Sequence, residues 1–525
     1  MSAADEALAE LADRDAVTRL HARDATLWSE ESEHREVIAN RFGWLDIATP
    51  PDGWPHRLAE AAAAARSDGI DRLVLAGMGG SSLAPEVFAK VFSNGGGARL
   101  ALLDSTHPDA VRAALDDADL STSLVVVSSK SGSTEETRCF AAHAAELVPP
   151  DRMVAVTDAG SALEAQARDQ GWRDVFVNPA DIGGRYSALS LFGMLPAALL
   201  GVDVNEVWLG AANMHQRCTA APADNPGAQL AAFMAGCART GRDKLTLLAP
   251  AGLAPLGDWV EQLVAESTGK QGTGIVPVVG EPLGPAAVYG GDRAFVILRL
   301  GADELLGGDD LAAAGHPVHV IEVGDREQLG AEFVRWEVAT ALAGALLGVN
   351  PFDEPNVAES KANTKAVLDE VAGGGQLPEP ESGDVAQLLK QLGEGDYLSV
   401  QAYLAPTAER AEPLARLRTL VRDRRGVATT FGWGPRFLHS TGQLHKGGPD
   451  SVVSLQVVDS PAGGPAIPDR PYDFATLVRA QAVGDLRSLR DHGRRVIQIG
   501  VDAAGELEGL AAAVESATRQ HHGQA

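Results

Sequence analysis

Two short segments rich in glycine and hydroxyl side chains stand out, because each joins a strand-like run to a helical pattern. The first is Gly77-Met78-Gly79-Gly80-Ser81-Ser82, and the second is Ser128-Ser129-Lys130-Ser131-Gly132-Ser133-Thr134. Glycine allows a tight turn and a close approach of the backbone, and the free N–H groups at the start of a helix attract anions. Both segments are therefore candidates for binding a phosphate group.

The first segment has two alternative interpretations. It can be a strand–helix turn that binds nothing. It can also be part of a dinucleotide-binding fingerprint, in which Gly77 and Gly79 are followed by Asp104 at the end of the next strand. Ser82 stands where that fingerprint needs its third glycine. A nicotinamide-dependent reductase is therefore the weaker hypothesis.

The second segment favours phosphate more strongly. It carries five hydroxyl groups, one glycine and one lysine within seven residues, and a helix is predicted to begin at Glu135. The P-loop pattern Gly-x4-Gly-Lys-Ser/Thr does not occur, and the alternative is a helix cap rich in serine and threonine. Two such segments after neighbouring parallel strands predict a site for a phosphate attached to a small polar group.

Strand-like apolar runs alternate with helical patterns along most of the chain, as is typical of parallel, doubly wound sheets. The predicted fold class is α/β, with two doubly wound domains and a C-terminal α/β appendage. The predicted units are an N-terminal helical segment (1–55), a first domain with the phosphate-binding loops (56–205), a second domain (206–370), a linker (371–384) and a C-terminal α/β domain (385–525). Strands are predicted at 72–76, 98–103, 123–127, 152–156, 244–249, 294–298, 317–321, 397–404, 427–431, 452–458 and 495–501.

The overall charge limits the partners. The chain has 525 residues and a formal charge of −27, a sign that repels nucleic acid and anionic membranes. Its three cysteines are too widely spaced for a disulfide framework or a CxxC metal site. The first residues lack the features of a secretory signal, and no apolar run reaches the roughly 18 residues of a membrane span. We therefore expect a cytoplasmic protein that binds neither nucleic acid, membrane nor metal.

Three further motifs carry a resemblance to a known family. Gly183-Gly184-Arg185-Tyr186-Ser187 and the segment from Glu261 to Lys270 (EQLVAESTGK) follow the two loops in the order found in phosphoglucose isomerases. Asn350-Pro351-Phe352-Asp353-Glu354-Pro355 through Lys361 resembles a stretch of the bacterial members. Within the family, the chain resembles in particular the isomerase half of transaldolase–phosphoglucose isomerase fusions, although nothing in it corresponds to a transaldolase barrel. The resemblance implies two sugar isomerase (SIS) domains.

The resemblance also implies an activity. It is the interconversion of glucose 6-phosphate and fructose 6-phosphate through a cis-enediol, in glycolysis and gluconeogenesis, without a cofactor and in a homodimer. Ser129, Ser131 and Thr134 are implied to hold the phosphate. The full set of candidate binding residues is Gly80, Ser81, Ser129, Lys130, Ser131, Ser133, Thr134 and Glu136. For Glu136, a partner of the helix dipole and an orienting residue are both open interpretations.

The candidate catalytic residues come from the later motifs. Glu266 is the candidate base, and Gln262 lies four residues before it, so the two share one face of a predicted helix. A carboxylate partly removed from water can have its pKa raised toward the range where proton transfer is efficient. Arg185 carries a permanent charge that suits an oxyanion developing on the substrate, and a structural ion pair is the alternative.

Ring opening is assigned to three candidates. Lys361 matches the late lysine of the family, which also uses a histidine that usually comes from the partner subunit. The histidines between Glu266 and Lys361 lack the neighbours expected of it, whereas a later loop-like segment carries His439 and His445. His445 is slightly favoured because Lys446-Gly447-Gly448 follows it and allows close approach to a ligand. A structural loop is the alternative, and a metal site is disfavoured because no acid or cysteine lies between the histidines.

Two other functions stay open. A dual glucose/mannose phosphate isomerase differs only in the handling of C2, which the spacing of residues does not distinguish. A non-catalytic sugar-phosphate-binding SIS protein would use the loops without chemistry. The presence of both Gln262 and Glu266 favours catalysis.

Overall fold

Five apolar runs form the first sheet of this computed structural model, which describes residues 2–93, 96–302, 307–502 and 504–519. The strands are β1 (Arg72–Gly77), β2 (Arg99–Leu103), β3 (Ser123–Ser128), β4 (Met153–Asp158) and β5 (Asp174–Asn178). All pair in parallel in the order β2-β1-β3-β4-β5. The central strands are apolar on both sides, so helices must cover both faces of the sheet.

Helices precede and surround this first sheet. The chain up to residue 55 is largely helical, and α4 begins at the end of its proline-rich turn, with Pro55 in the first helical turn. The helices are α1 (Ala3–Asp13), α2 (Ala16–His21), α3 (Ser32–Ala39), α4 (Trp54–Ser67), α5 (Leu83–Val91), α6 (Pro108–Val111), α7 (Glu135–Leu147), α8 (Ala162–Asp169) and α9 (Leu191–Leu199).

The second sheet has four parallel strands in the order β7-β6-β8-β9. These strands are β6 (Lys244–Leu248), β7 (Val276–Val278), β8 (Arg293–Leu300) and β9 (Val318–Val323). Its helices are α10 (Val204–Arg217), α11 (Pro226–Arg239), α12 (Leu256–Thr268), α13 (Gly308–Ala313), α14 (Leu329–Leu347) and α15 (Pro355–Ala372). Most of α14 is buried, and apolar side chains lie on all its sides, with the charged Glu332, Arg335 and Glu337 buried among them.

The third sheet also has four parallel strands, in the order β11-β10-β12-β13. These are β10 (Tyr397–Tyr403), β11 (Ala428–Trp433), β12 (Val452–Val458) and β13 (Arg495–Gly500). The helices of this C-terminal unit are α16 (Val385–Leu389), α17 (Ala408–Arg425), α18 (Gly442–Gly447), α19 (Phe474–Asp491) and α20 (Ala504–Arg519). Residues 373–384, which join it to α15, form neither helix nor strand apart from a bridge between Ser382 and Ile499.

The three sheets share one strand order. Counted along the chain within each sheet, the second strand lies beside the first, and the third and fourth follow on the other side. In such sheets ligands bind beyond the carboxyl ends of the strands, where the order reverses. In the first sheet this position lies between β1 and β3, the two strands that the predicted loops follow.

The apolar cores join the units. One cluster of buried side chains runs from the N-terminal helices through one face of the first sheet to the second sheet and α14. A second cluster covers the other face of the first sheet and includes Phe474 and Leu477 of α19. The C-terminal unit therefore packs on the first sheet through α19, while its own sheet has a separate core.

The predicted α/β class with doubly wound sheets is confirmed. Every predicted strand overlaps a strand of the structure, but β5 and β7 were not predicted. No helix among the described residues combines the length and the apolar character needed to cross a membrane.

Candidate active site

A cavity of about 510 Å³ lies beyond the carboxyl ends of β1 and β3. The first two sheets and the C-terminal unit all contribute to its wall, as the switch in strand order predicts. The predicted site residues in its lining are Gly80, Ser81, Ser129, Lys130, Ser131, Thr134, Arg185, Gln262, Glu266, Lys361 and His439. Residues separated by more than 300 positions in the chain thus meet around one volume that suits a small molecule.

The first glycine-rich loop lets two other segments approach β1. A Cβ atom added to Gly80 would lie 1.8 Å from the carbonyl oxygen of Gly184. One added to Gly79, whose φ is +55°, would lie 2.7 Å from the carbonyl oxygen of His439. These glycines therefore allow the turn that carries Arg185 and the segment that carries His439 to contact the loop backbone.

The second loop forms a cradle of hydroxyl groups at the start of α7. Ser129 Oγ accepts a hydrogen bond from the Gly132 N–H at 3.2 Å, and the Ser131 and Ser133 hydroxyls lie 2.7 Å apart. Thr134 occupies the position before the helix, and its side chain makes no capping hydrogen bond. The positive end of α7 and these hydroxyls together offer an anion several donors.

Lys130 is turned toward the side of the cradle. Its amino group forms an ion pair with Asp158 and donates a hydrogen bond to the Ala180 carbonyl at 2.6 Å. Burial raises the pKa of Asp158, and the hydrogen bond and charge of Lys130 oppose that rise. Hydroxyl and backbone N–H groups therefore supply most of the donors that face the cradle.

Glu266 lies in the opposite wall, on α12. Gln262, one turn earlier, donates a hydrogen bond to Glu266 Oε2 at 3.1 Å, as their spacing predicts. The side chain of Glu266 is 10% exposed, and its Oε1 lies 3.4 Å from Arg185 Nη1. Burial raises the pKa of Glu266, and the positive charge of Arg185 opposes this effect. A carboxylate whose pKa is raised by burial in this way is suited to accept and return a proton.

Arg185 is buried and held by several acceptors. Its Nε donates to Ser267 Oγ at 2.8 Å, its Nη1 to Glu354 Oε2 at 3.0 Å, and its Nη2 to the carbonyls of Pro351 and Asp353, both at 2.8 Å. The late motif at 350–355 is thus a clamp around the guanidinium. Burial alone lowers the pKa of Arg185, but the surrounding carboxylates outweigh it and the pKa is raised, so the charge is permanent.

His439 reaches the cavity from the C-terminal unit. Its Nε2 lies 2.9 Å from Glu136 Oε1, and its carbonyl accepts a hydrogen bond from Gln262 at 2.7 Å. Gln481 of α19 donates to the same oxygen of Glu136 at 2.7 Å. Burial raises the pKa of Glu136, but the charges of His439 and Lys361 outweigh it, so the pKa lies below its usual value. Glu136 is therefore an anion that orients the imidazole.

His445 lies outside this cavity. It is 3% exposed, and its ring nitrogens lie 3.2 Å from Ser399 Oγ and 3.2 Å from Gln401 Nε2, inside the C-terminal unit. Burial, helped by the charges of Lys446 and Arg494, lowers the pKa of His445 to about 3. The ring is neutral at physiological pH, and it is not part of the cavity wall. The structure therefore places His439, and not the slightly favoured His445, in the cavity wall.

The remaining predicted residues sit at the edge of the site. Ser133 and Glu136 line a neighbouring cavity of about 500 Å³, whose wall also includes Lys361 and His439. Asp104, the acid of the dinucleotide interpretation, is buried and lies 3.1 Å from Arg436 in a different cavity. It is not available to a ligand bound at the first loop. Within the described residues, no group of three or more histidine, cysteine or acidic side chains is arranged to hold a metal ion.

Some lining residues were not predicted. Arg41 comes from the N-terminal helical segment, which carries no motif, and Asp158 and Glu354 add carboxylates to the wall. Asp158 is the last residue of β4, a third parallel strand of the first sheet, and this position could have been used to predict that it lines the cavity. Glu354 belongs to the late motif and pairs with Arg185, which only the folded chain reveals.

Comparison with known sequences supports the resemblance. Residues 61–281 match the family model described as phosphoglucose isomerase. A probable glucose-6-phosphate isomerase of Natronomonas pharaonis is 29% identical over 390 residues, which cover 66% of this chain and 89% of the relative. The glucose-6-phosphate isomerase of Rubrobacter xylanophilus is 29% identical over 367 residues, covering 58% of this chain and 84% of the relative. The resemblance to phosphoglucose isomerases inferred from the motifs is confirmed, whereas the narrower resemblance to fusion proteins stays a prediction.

Solved structures share the fold. A hypothetical protein of Thermus thermophilus superposes with a TM-score of 0.60 at 24% identity, over 69% of this chain and 97% of its own. A glucose-6-phosphate isomerase of Chlamydia trachomatis gives a TM-score of 0.56 at 19% identity, over 70% of this chain and 86% of its own. At these identities, the similarities show that the chain shares the fold of the two structures.

Proposed function

We propose that this chain, which resembles the phosphoglucose isomerases over residues 61–281, is a glucose-6-phosphate isomerase that works through a cis-enediol without a cofactor. The observation that carries the proposal is the meeting of a hydroxyl-rich anion cradle, a buried carboxylate, a buried guanidinium and a histidine around one cavity. Each of these groups answers one requirement of aldose–ketose isomerisation.

The cradle anchors the substrate by its phosphate. Ser129, Ser131 and Thr134 offer hydroxyl groups, and the first turn of α7 adds backbone N–H donors and its positive dipole. Anchoring at this end fixes the sugar carbons relative to the opposite wall. Holding reactants in this way can contribute several kcal/mol to lowering the barrier.

Glu266 is proposed to move the proton between the two sugar carbons. Starting from the aldose, its carboxylate takes the proton from C2, the electrons of that C–H bond form the C1–C2 double bond, and the carbonyl oxygen at C1 becomes the enediolate oxygen. The proton of the C2 hydroxyl passes to the enediolate oxygen at C1, and return of the first proton from Glu266 to C1 leaves a carbonyl at C2, which yields the ketose. Gln262 and Arg185 hold the carboxylate at 3.1 and 3.4 Å, which fixes its direction.

Arg185 is proposed to stabilise the enediolate by its charge. Most of its N–H groups bind the clamp at 350–355 and Ser267, so its position is set before the substrate arrives. A fixed charge inside a buried site costs little reorganisation during the reaction.

His439, supported by Glu136, is proposed to open the ring. The imidazole lies in the cavity wall, where it can give a proton to the ring oxygen while a second group takes one from the C1 hydroxyl. Lys361, in the same wall, is proposed to assist. For His445 we propose a structural role, because its ring nitrogens face Ser399 and Gln401.

The oligomeric state and the limits of the units are proposals as well. From the sequence pattern we propose the divisions 1–55, 56–205, 206–370, 371–384 and 385–525, from the composition a cytoplasmic location, and from the resemblance a homodimer. Sedimentation of the purified chain measures the oligomeric state, and a monomer would contradict the homodimer.

A coupled assay tests the proposed function. Fructose 6-phosphate is supplied with glucose-6-phosphate dehydrogenase, and formation of NADPH reports glucose 6-phosphate. In a separate assay with the same dehydrogenase, mannose 6-phosphate replaces fructose 6-phosphate. This assay reports whether the chain also isomerises the C2 epimer of glucose 6-phosphate. We expect turnover of fructose 6-phosphate only; turnover of both would indicate a dual isomerase. Binding of both sugars without turnover would indicate a sugar-phosphate-binding protein and contradict the proposal.

A further inference from the structure

Arg436 lies three residues before His439, at the start of a single 3-10 turn that spans Arg436–His439. Its side chain is 17% exposed and forms an ion pair with Glu86 of α5. It also lies 3.1 Å from Asp104, which follows β2, and 3.8 Å from Asp258 of α12. One residue of the C-terminal unit thus contacts carboxylates that belong to both of the other sheets.

The acidic side chains around Arg436 need its positive charge. The cavity of about 420 Å³ beside it is lined by four carboxylates, and Lys90 is the other cation in that lining. Burial raises the pKa of Asp104 to about 6, and burial with the charge of Asp258 raises the pKa of Glu261 to about 8. Without the guanidinium, this group of acids would lose its central positive charge and repel itself.

The rest of the turn that begins at Arg436 has little freedom to change its position. Phe437 is buried against Tyr403, with ring centroids 5.4 Å apart. The carbonyl of His439 accepts the hydrogen bond from Gln262 and lies against Gly79. A shift at the start of such a short turn therefore moves the imidazole relative to Glu136 and the cavity.

We propose that Arg436 is a positioning residue that holds the His439 segment in the active cavity by joining the C-terminal unit to three carboxylates of the other two sheets. This inference rests on the proposed function for its effect on catalysis. Arg436 acts through His439, so its loss impairs ring opening and leaves proton transfer by Glu266 largely intact.

The test compares Arg436→Met and Arg436→Lys with the control Arg416→Met. Arg416 forms an ion pair with Glu508 in which both side chains are 50% exposed, so its removal reports only the loss of a surface charge. Two substrates separate the steps. One is glucose 6-phosphate, which must open its ring, and the other is 5-deoxyfructose 6-phosphate, which has no hydroxyl free to close a five- or six-membered ring. Exchange of its C1 protons in D₂O measures proton transfer alone.

We expect Arg436→Met to lower kcat for glucose 6-phosphate by about 10²-fold and the proton exchange by less than about 3-fold. Arg436→Lys should fall between it and the wild type, because lysine is a point charge that cannot bridge three carboxylates. Added guanidinium should restore part of the loss in Arg436→Met through the adjoining cavity, and it should have no effect on the control. Equal losses on both substrates, without rescue, would overturn the proposal.

A second measurement does not depend on activity. Hydrogen–deuterium exchange of residues 436–441 should be faster in Arg436→Met than in the wild type and unchanged in Arg416→Met. If Arg436→Met does not fold, Asp104→Asn tests the same contact. It should also lower kcat for glucose 6-phosphate and speed up the exchange of residues 436–441, by smaller factors. If the wild type isomerises no sugar phosphate, the proposed function fails, while the exchange result still decides whether Arg436 holds the segment. Unchanged exchange in a folded variant contradicts the inference.

Discussion

Replacing Gly80 with alanine tests how closely the first loop must approach the turn that carries Arg185. An added Cβ would lie 1.8 Å from the Gly184 carbonyl oxygen and 2.2 Å from its carbon. Real Cβ atoms essentially never come within 3.0 Å of another heavy atom, so the backbone at Gly184 must retreat by about 1.2 Å, the difference between 3.0 and 1.8 Å. The obstacle is backbone rather than a flexible side chain, so no rotamer change relieves it.

The retreat moves the residue next to Gly184, which is Arg185. Its guanidinium then loses its alignment with Glu266, now 3.4 Å away, and with the clamp at 350–355. A misplacement of about 1 Å can cost about 10²-fold in rate, so we expect kcat to fall by about 10²-fold. Overpacking of this kind also lowers the free energy of unfolding by about 1–3 kcal/mol.

The assay measures kcat and KM with fructose 6-phosphate, and thermal unfolding of the same samples. Gly509→Ala is the matched control, because Gly509 lies exposed on α20 with no heavy atom within 4 Å of an added Cβ. The control should keep its activity and gain slightly in stability, since alanine favours a helix. A Gly80→Ala enzyme that folds and keeps kcat within about 3-fold of the wild type would refute the reasoning that this close approach sets the position of Arg185.

Four further predictions concern the other candidate residues. Glu266→Gln should lower kcat by at least about 10²-fold while substrate still binds; activity within a few-fold of the wild type would remove the base assignment. Ser129→Ala combined with Thr134→Ala should raise KM and weaken inhibition by inorganic phosphate in parallel, and unchanged inhibition would place the phosphate elsewhere. In single-turnover assays on glucose 6-phosphate, His439→Ala should lose about 10²-fold and His445→Ala only a few-fold, and the opposite order would reverse our assignment. Burial lowers the pKa of His445 to about 3 from 6.5, so below pH 6.5 the unfolded chain binds a proton that the folded chain excludes. Between about pH 5.5 and 4, His445 should therefore contribute a loss of about 1.4 kcal/mol per pH unit to the free energy of unfolding measured with denaturant, and a His445→Gln variant with the same slope as the wild type would contradict this.

The sequence was informative where one local signal sufficed. Long apolar runs such as those of β1, β3 and β12 predicted strands, because a parallel strand buried on both faces has few polar residues. β5 escaped prediction because Asp174 and Asn178 bound only three apolar residues, and β7 because it has three residues with proline at the centre. Such short edge strands depend on their neighbour for stability, which no local pattern reveals.

The same limit applies to the candidate site. The two loops and the Gln262–Glu266 spacing are local, and both can be derived from the sequence. Which histidine lies in the cavity depends on how the C-terminal unit docks on the first sheet, through contacts between residues more than 300 positions apart. His439 and His445 have similar neighbours in the sequence and opposite environments in the fold. The clamp around Arg185 is equally non-local, since its acceptors lie about 170 positions away.

The short connection between α15 and α16 has a consequence for how the reaction responds to dilution. Residues 373–384 span at most about 40 Å when fully extended, so the unit that carries His439 never leaves the neighbourhood of Glu136. A flexible tether of this length corresponds to an effective concentration in the millimolar range. Specific activity should therefore stay constant on dilution to nanomolar protein. Cutting a protease site inserted into this segment after folding would turn the encounter of the two parts into a bimolecular one, and specific activity would then fall as the cut protein is diluted.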